Sequence, residues 1–418
     1  MNTQHVEKTP LLRELWLQIL LAMLLGSVLA FTFGESAVGA VGWMGTLFVR
    51  LLKMTIVPLV ATSIVSGVAS VGSGGALGRL GLKTLAYYMT TSLLAILVGL
   101  VLVNALRPGV GALEGIAAAG GTAPQVETPD SLAEILFRMV PTNPVAALAE
   151  MDMLGIIVFC IAFGASLAAM PEGVRRPVSE LIEALFAVMM RLTGAVIRLA
   201  PLGVVGLITS AVAASGASTF TSMGIYMLTV AAGLTLHTFV TLPVLLLVLG
   251  RLSPRRHFTN MSDAVLTAVS TSSSAATLPL TMQCVEKKVG VSNRVSSFVL
   301  PLGATVNMDG TALYECVGVL FIAQVLGIPL GVTAQITVVV TALLASIGAA
   351  GIPSAGLVMI FIVLEAVNLR GPEVAAIVGT MLAVDRPLDM LRTGVNIFSD
   401  SCGAAIIARS EGEEEVGR

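Results

Sequence analysis

The sequence predicts an all-α integral membrane protein with eight transmembrane helices and two re-entrant helical hairpins, arranged as inverted repeats. Three observations predict this fold class. The 418 residues are 56% hydrophobic and only 11% charged, with a mean hydropathy of +0.94, whereas soluble domains carry about 25% charged residues. Lys and Arg cluster in alternate connections, and two of the later apolar blocks are interrupted by Gly, Ser and Pro.

Apolar stretches long enough to cross a bilayer fill the first part of the chain, since a spanning helix needs about 20 mainly apolar residues. The polar start, residues 1–13, is interpreted as a cytoplasmic tail and not as a cleaved signal peptide. Several stretches exceed one membrane thickness, which predicts tilted, kinked or broken helices. The six predicted spans within residues 14–250 are 14–34, 41–71, 79–106, 142–170, 176–214 and 223–250.

Four interrupted apolar blocks follow, and an acidic cytoplasmic tail is predicted at 410–418. Basic residues mark the cytoplasmic side of a membrane protein, and their distribution here places both termini inside. This side assignment requires the first and third blocks to enter and leave on one side, as re-entrant hairpins. The blocks are hairpin 1 (258–288), helix 7 (293–326), hairpin 2 (332–366) and helix 8 (373–409).

Both hairpin tips carry sequences that break helices: STSSSAATLP at 270–279 and SIGAAGIPSAG at 346–356. Lipid cannot satisfy the backbone groups freed there, so such backbone is buried in protein or lines a polar cavity. A simple kinked helix is the alternative for either tip alone. Each hairpin precedes a helix with Asn and Asp, in NMD (307–309) and NIFSD (396–400). Paired interrupted segments of opposite orientation are typical of an inverted-repeat transporter.

Charged residues within the apolar helices mark the candidate site, because a charge at the bilayer centre costs about 2.5–3.5 kcal/mol on insertion scales. Asp309 and Asp400, with Asn amides and freed carbonyls, offer the hard oxygen ligands that suit a small cation such as sodium. A structural ion pair with an Arg is the alternative for each Asp. The residues concerned are Asp309, Glu315, Asp385, Arg386, Asp389, Arg392 and Asp400.

Arg392 lies three residues after Asp389 and four before Asn396, so the three side chains share one helix face. A guanidinium binds a carboxylate in a bidentate manner, and a neighbouring Asp can bind an ammonium group. This face therefore predicts an amino-acid substrate with an acidic side chain. The alternative is an internal Asp389–Arg392 pair.

Glu315 lies six residues after Asp309, on a different face of the helix. Apolar surroundings favour the neutral form of a carboxyl group, and a neutral acid crosses the membrane at lower cost than an ionised one. The sequence therefore indicates Glu315 as a proton carrier. A Glu that caps a hydrogen-bond network is the alternative.

These motifs resemble the glutamate transporter family, the dicarboxylate/amino-acid:cation symporters. The resemblance runs nearly end to end. It implies a homotrimer in the cell (inner or plasma) membrane, in which a mobile transport domain moves through a scaffold as an elevator. The helices near 79–106 and 223–250 would belong to that transport domain. The matching stretches are LFVRLLKM (47–54), VPTNP (140–144), TSSSAATLP, LPLGATVNMDGTALYE (300–315), SIGAAGIPSAG and LRTGVNIFSDSCGA (391–404).

The resemblance also implies site residues. Asp389 would bind the substrate amine, Arg392 its side-chain carboxylate, and Glu315 stands where proton-coupled animal members also have Glu. Further substrate residues would be Ser273, Ser274, Thr311, Gly351, Ile352, Thr393 and Asn396. Sodium ligands would be Gly303, Asn307, Met308, Asn396 and Asp400; Thr305, Ser346 and Ala349; and Tyr88, Thr91, Ser92, Asn307 and Asp309. Ala349, Ser272 and Met390 depart from the family pattern, the last two where relatives place an arginine.

The expected function is sodium-coupled and proton-coupled symport of glutamate or aspartate. A C4-dicarboxylate or neutral amino-acid carrier of the same fold is the alternative; Arg392 argues against neutral substrates and Asp389 argues for an amine. An ion channel would repeat one pore segment, and the G-x-S-x-G and H-E-x-x-H motifs of hydrolases are absent from the sequence. No enzymatic activity, cofactor or nucleic-acid partner is expected; sodium ions and protons are the expected coupling ions.

Overall fold

The computed structural model describes residues 15–69, 75–111, 137, 139–215, 218–347 and 355–417. Every long regular element in these ranges is a helix. The helices are α1 (Leu15–Phe33), α2 (Glu35–Ala69), α3 (Gly75–Leu106), α4 (Pro144–Glu150), α5 (Met153–Ala168), α6 (Glu172–Ile197), α7 (Ala200–Ser215), α8 (Ser218–Leu236), α9 (Pro254–Thr271), α10 (Ser274–Cys284), α11 (Asn293–Val306), α12 (Asp309–Val325), α13 (Val332–Ser346), α14 (Ala355–Ala366) and α15 (Pro372–Ser410). Two turns of π-helix, with the short α-helical segment Leu242–Leu245 between them, extend α8 to Gly250, and one turn of π-helix extends α10 to Val289.

The N-terminal group of helices is built around α2, which packs against α5, α6 and α7, while α1 also packs on α7. Glycines bring α2 and α7 into close contact. A Cβ atom on Gly206 would lie 2.6 Å from both the Gly45 nitrogen and the Val41 oxygen. Small residues at such crossings let two membrane helices approach closely. The van der Waals contact that they gain is a main driving force for helix association in a bilayer.

The core group comprises α3 and α8–α15 and is built around α12. All but one of the residues of α12 are buried, and the helix packs against α3, α13, α14 and α15. The α8 helix packs against α3 and α15, and α9 packs against α15. Because α12 is enclosed along its length, Asp309 and Glu315 are held away from lipid inside protein.

Three predicted spans are broken in the structure. The span predicted at 142–170 divides at Met151, whose φ of 59° is left-handed, and Asp152 caps α5 by accepting a hydrogen bond from the Gly155 nitrogen. Helices α6 and α7 form a pair bent by 51°. The third break, at Asn307 and Met308, separates α11 from α12 and lies where the sequence predicted freed carbonyls.

Helices α9 and α10 pack against each other on either side of the first predicted tip. Ser272 has a left-handed φ of 52°, and Ser273 caps α10 with its Oγ 3.2 Å from the Ala276 nitrogen. Helices α13 and α14 also pack together. The second tip, residues 348–354, lies outside the described residues.

By length and composition, four of the described helices can cross a membrane, or five when the bent pair α6–α7 counts as one span. The described residues therefore show a multi-pass helical architecture, and the number of eight spans stays a prediction. The break at Met151 accounts for part of the difference, because α4 and α5 on either side of it are each too short to qualify alone.

The chain end packs on the core group. The Glu411 carboxylate is 2.9 Å from Arg79 Nη2, 2.6 Å from Lys83 Nζ and 3.7 Å from Arg294 Nη2. Hydrogen bonds from Arg79 and then Lys83 lower the pKa of Glu411 to about 2. Arg256 Nη1 donates to the Gly417 oxygen at 2.9 Å. Basic residues from distant connections thus lie at one end of the molecule.

Candidate functional site

The site is built on one face of α15, where acidic, basic and amide side chains recur at intervals of three and four residues. The Arg392 side chain on this face is only 1% exposed, although it is the largest polar group there. The other members of the face are also buried: Asp385, Asp389, Asn396 and Asp400.

Arg392 is held by two carboxylates. Its Nη2 donates to Asp385 Oδ1 and to Asp389 Oδ1, each at 2.9 Å, and its Cζ lies 3.8 Å from the centre of the Tyr314 ring. Arg392 Nε and Nη1 have no hydrogen-bond partner among the described residues. The internal pair considered from the sequence therefore exists, but it leaves donors of the guanidinium available to a ligand.

Gly356 at the start of α14 connects the second hairpin to Arg392. A Cβ atom at this position would lie 2.1 Å from Arg392 Nη1, so a side chain cannot be added without moving the guanidinium. The absence of a side chain allows the backbone after the second tip to pack directly against the charged group.

A second polar cluster lies where the break between α11 and α12 meets α3 and α15. Asn307 Nδ2 donates to Asp400 Oδ1 at 2.9 Å, and Asn307 Oδ1 accepts from Thr91 Oγ1 at 3.3 Å. Ser92 Oγ donates to Asp309 Oδ1 at 2.7 Å. Within the described ranges neither Asp309 nor Asp400 pairs with a lysine or arginine. The described residues therefore give no support to a structural pair with an Arg for either carboxylate.

Gly303 and Tyr88 border the same cluster. A Cβ atom on Gly303 would lie 2.5 Å from Asp400 Oδ1 and 2.6 Å from Tyr88 Oη. Tyr88 Oη donates to the Val299 oxygen at 2.7 Å. Carboxylate, amide and hydroxyl oxygens thus lie next to the break between α11 and α12. The part of the chain that the structure describes holds no group of three or more His, Cys, Asp or Glu arranged for a metal ion, so a cation here would depend on mixed oxygen ligands.

Two polar neighbours of this cluster were missed by sequence reasoning. Ser399 Oγ donates to Asp309 Oδ2 at 2.6 Å, and His237 Nε2 lies 3.1 Å from the same oxygen. Asp385, noted only as a buried charge, is a direct partner of Arg392. Its position seven residues before Arg392, two turns along the same face, is the one signal that the sequence offered for it.

The remaining predicted residues divide into three groups. Asn396 Oδ1 accepts from the Gly310 nitrogen at 2.8 Å, which joins α15 to α12, and Asn396 Nδ2 is 3.5 Å from Thr311 Oγ1. Hydroxyl groups of the second group bond within their own helices: Thr305, Ser346 and Thr393. Ser273, Ser274 and Met308 lie at the tip and break described above. Ala349, Gly351 and Ile352 lie outside the described residues.

Glu315 is fully buried, and neither of its carboxyl oxygens has a hydrogen-bond partner in the described part of the chain. Its neighbour Tyr314 supports the Arg392 guanidinium. The alternative of a Glu that caps a hydrogen-bond network is therefore wrong within these residues.

A multi-pass helical protein with a broken helix and buried charges beside the break is typical of the class of secondary transporters. A family model described as the sodium:dicarboxylate symporter family matches residues 15–410. The chain belongs to this family, which confirms the resemblance found in the sequence. The family consists of symporters, so the protein is a transporter and not an enzyme.

Individual relatives extend the comparison. The chain is 36% identical to excitatory amino acid transporter 3 of Homo sapiens over 384 residues, covering 80% of this chain and 72% of the relative. It is also 36% identical to an excitatory amino acid transporter of Caenorhabditis elegans over 371 residues, covering 78% and 73% of the two chains.

Proposed function

We propose that this protein takes up the acidic amino acids glutamate and aspartate together with sodium ions and a proton. The observation that carries the proposal is the buried Arg392, whose Nε and Nη1 donors have no acceptor among the described residues. Such donors suit the side-chain carboxylate of a substrate. The names of the relatives, excitatory amino acid transporters, support the same substrate class.

The charges around Arg392 favour an amino acid over a plain dicarboxylate. Arg392 contacts two carboxylates, Asp385 and Asp389, and Asp389 Oδ2 also lies 3.7 Å from Arg386 Nη1. The ammonium group of an amino-acid substrate would bind Asp389 beside these contacts. A C4-dicarboxylate lacks that ammonium group. A neutral amino acid leaves the Arg392 donors unpaired, and a buried polar site strongly rejects a substrate that leaves its donors unpaired.

Sodium ions are the proposed counter-charges for Asp309 and Asp400. Both carboxylates are buried without a lysine or arginine partner in the described ranges. They lie among oxygens of Asn307, Thr91 and Ser92. Buried carboxylates need a positive partner, and hard oxygen ligands suit an alkali cation. The further sodium ligands expected from the family, including Thr305, Ser346 and Ala349, remain part of this proposal.

Glu315 is the proposed proton carrier. An ionised carboxylate without a hydrogen-bond donor is costly in a buried site, whereas the protonated acid is tolerated. Coupling follows if the proton binds before the loaded core crosses the membrane and leaves on the inner side.

The proposed transport step is an elevator movement of the core group within a homotrimer, with both termini on the cytoplasmic side. Lys53 Nζ on α2 lies 3.4 Å from Glu365 Oε1 on α14, so this ion pair joins the N-terminal group to the core group. Glu365 also pairs with Arg370, which lies on its own side. A sliding core would break the first pair while Arg370 keeps Glu365 neutralised.

Uptake into liposomes tests the proposal. Purified protein is reconstituted, and accumulation of labelled aspartate, glutamate and succinate is measured under imposed sodium, proton and potassium gradients. We expect an inward sodium gradient to drive aspartate or glutamate, and an inward proton gradient to add to it. Equal accumulation of succinate would favour the dicarboxylate alternative, and uptake without sodium would refute the cation assignment.

A further inference from the structure

We propose that the core group carries a binding site for an anionic phospholipid, whose acyl chain fills a cavity beside α9 and whose phosphate binds Arg255. The cavity has a volume of about 360 Å³ and lies between α8, α9 and α15. The proposal concerns this surface alone and does not depend on the substrate or coupling ions assigned above.

Most side chains that line the cavity are apolar, and the hydroxyl groups among them are already hydrogen-bonded within their own helices. Stacked rings form one side, with the Phe239 and Phe258 centroids 5.2 Å apart and the Phe258 and Phe398 centroids 4.1 Å apart. The hydroxyl-bearing residues of the lining each donate to a carbonyl of their own helix and so present carbon to the cavity: Thr235, Thr238 and Ser262. Such a wall offers nothing to a polar ligand but suits a hydrocarbon chain.

The mouth of the cavity opens through large exposed apolar side chains. Leu266 is 65% exposed, Phe239 is 63% exposed and Leu391 is 43% exposed. Phe239 belongs to the segment Thr221–Gly250, which is long and apolar enough to span a membrane. The mouth therefore faces the hydrocarbon of the bilayer, where acyl chains are the abundant apolar ligand.

The lining of α9 follows one helix face from Phe258 through Ser262 and Val265 to Val269. Those eleven steps rise about 16 Å along the axis. One leaflet of a bilayer has about half of the roughly 30 Å hydrocarbon thickness. The lining of this groove-shaped cavity along α9 is thus about as long as one leaflet is thick. One acyl chain spans that same distance.

A positive charge stands at the end of the same face. Arg255 precedes Phe258 by three residues and is exposed, and Arg251 is exposed just before α9 begins. The acidic residue of α9, Asp263, is engaged by Lys288, whose Nζ is 2.6 Å from Asp263 Oδ2. Arginine binds lipid phosphate through paired donors, and the positive charges of Arg251 and Arg255 beside a membrane surface attract lipids with net negative charge.

Photolabelling tests the site. The full-length protein is reconstituted with a trace of phosphatidylglycerol or phosphatidylcholine that carries a photoreactive acyl chain, and labelled peptides are mapped by mass spectrometry. Arg255→Gln removes the headgroup contact, Arg255→Lys retains the charge, and Leu266→Trp fills the mouth. Arg176→Gln and Leu228→Trp are matched controls at an exposed arginine of the N-terminal group and an exposed leucine of α8 outside the groove.

We expect the phosphatidylglycerol probe to label residues 258–269 and 391–398 at least about fivefold more than the phosphatidylcholine probe, an affinity difference of about 1 kcal/mol. Arg255→Gln should remove that preference, Arg255→Lys should keep it, and Leu266→Trp should abolish labelling with either probe. Both controls should label as the unmodified chain does. Equal labelling by both lipids, or a preference that survives Arg255→Gln, overturns the proposal. So does an absence of labelling of these residues by either probe, which would show that the groove does not hold lipid.

Discussion

Asp385 and Arg392 stand seven residues apart on α15, and their Oδ1 and Nη2 atoms are 2.9 Å apart. Asp389 contacts the same Nη2 from one turn closer. The guanidinium is thus fixed at one nitrogen, while Nε and Nη1 remain without an acceptor among the described residues. This arrangement positions the charge before a ligand arrives, which lowers the entropy cost of binding.

Replacing Arg392 with Cys should abolish uptake of acidic amino acids, because the proposed partner of the substrate carboxylate is removed. Loss of a buried charged hydrogen bond costs about 2–5 kcal/mol, which predicts at least a 30-fold weaker aspartate affinity. Neutral amino acids should bind the variant as well as or better than they bind the unmodified protein. Binding is measured by isothermal calorimetry, with Arg176→Cys, an exposed arginine of the N-terminal group, as the control. Unchanged aspartate affinity would remove Arg392 from the site.

Replacing Gly356 with Ala should displace Arg392, because the new Cβ would lie 2.1 Å from Nη1. Overpacking of this kind costs about 1–3 kcal/mol, and it acts here on a guanidinium that the two acids hold in place. We expect aspartate affinity to fall at least tenfold in the same calorimetric assay. Gly173→Ala, where a Cβ atom has nothing within 4 Å, should have no effect. Equal affinity in the two variants would show that α14 does not constrain the guanidinium.

Replacing Asp400 with Asn should weaken sodium binding and, through linkage, aspartate binding. The proposed cause is the loss of a carboxylate charge beside Asn307 with little change in shape. The sodium concentration for half-maximal aspartate binding should rise about tenfold, a cost near 1.4 kcal/mol. Ser401→Ala, one residue further along α15 and bonded to His257, serves as a control. A sodium titration that is identical in Asp400→Asn and the unmodified chain would make Asp400 structural.

Replacing Glu411 with Gln should loosen the end of the chain in a pH-dependent way. The pKa of Glu411 is lowered to about 2 from 4.5, so its stabilising contribution is complete above pH 4.5 and is lost as the pH falls towards 2. The thermal midpoint of the variant should be lower than that of the unmodified protein at pH 7. The difference should shrink below pH 4.5, whereas Glu414→Gln should show no difference at either pH. A gap that widens on acidification would contradict the assignment.

Local sequence spacing predicted much of this site. The i+3 and i+4 intervals on α15 placed Asp389, Arg392 and Asn396 together, since all three belong to one helix. The run of Ser residues at the first predicted tip coincides with a helix end at Thr271, because such residues end helices for local steric reasons; the second tip stays a prediction.

Contacts between distant segments could not be predicted in this way. His237 meets Asp309 across 72 residues of sequence, and a single histidine in an apolar span carries no periodic pattern. The residues at 410–418 were predicted only as an acidic cytoplasmic tail. Glu411 instead contacts Arg79, 332 residues earlier, and that pairing depends on how α3 and α15 pack.

Glu315 gives the sharpest test of proton coupling. Its carboxyl group is fully buried and has no hydrogen-bond partner among the described residues, so only the protonated form suits its surroundings. Replacement by Gln imitates that form permanently. The variant should still bind sodium and aspartate, but an imposed inward proton gradient at fixed sodium should no longer increase its aspartate uptake.

The measurement is uptake into liposomes at fixed sodium, with and without a pH difference across the membrane. The unmodified protein should respond to the gradient, Glu315→Gln should not, and Glu180→Gln, an exposed carboxylate paired with Arg176, should respond fully. Because the Gln side chain retains the size of Glu, a loss confined to the proton response separates proton carriage from a packing role. An equal response in Glu315→Gln would assign proton carriage to another group. No response in the unmodified protein would show that uptake is not coupled to protons.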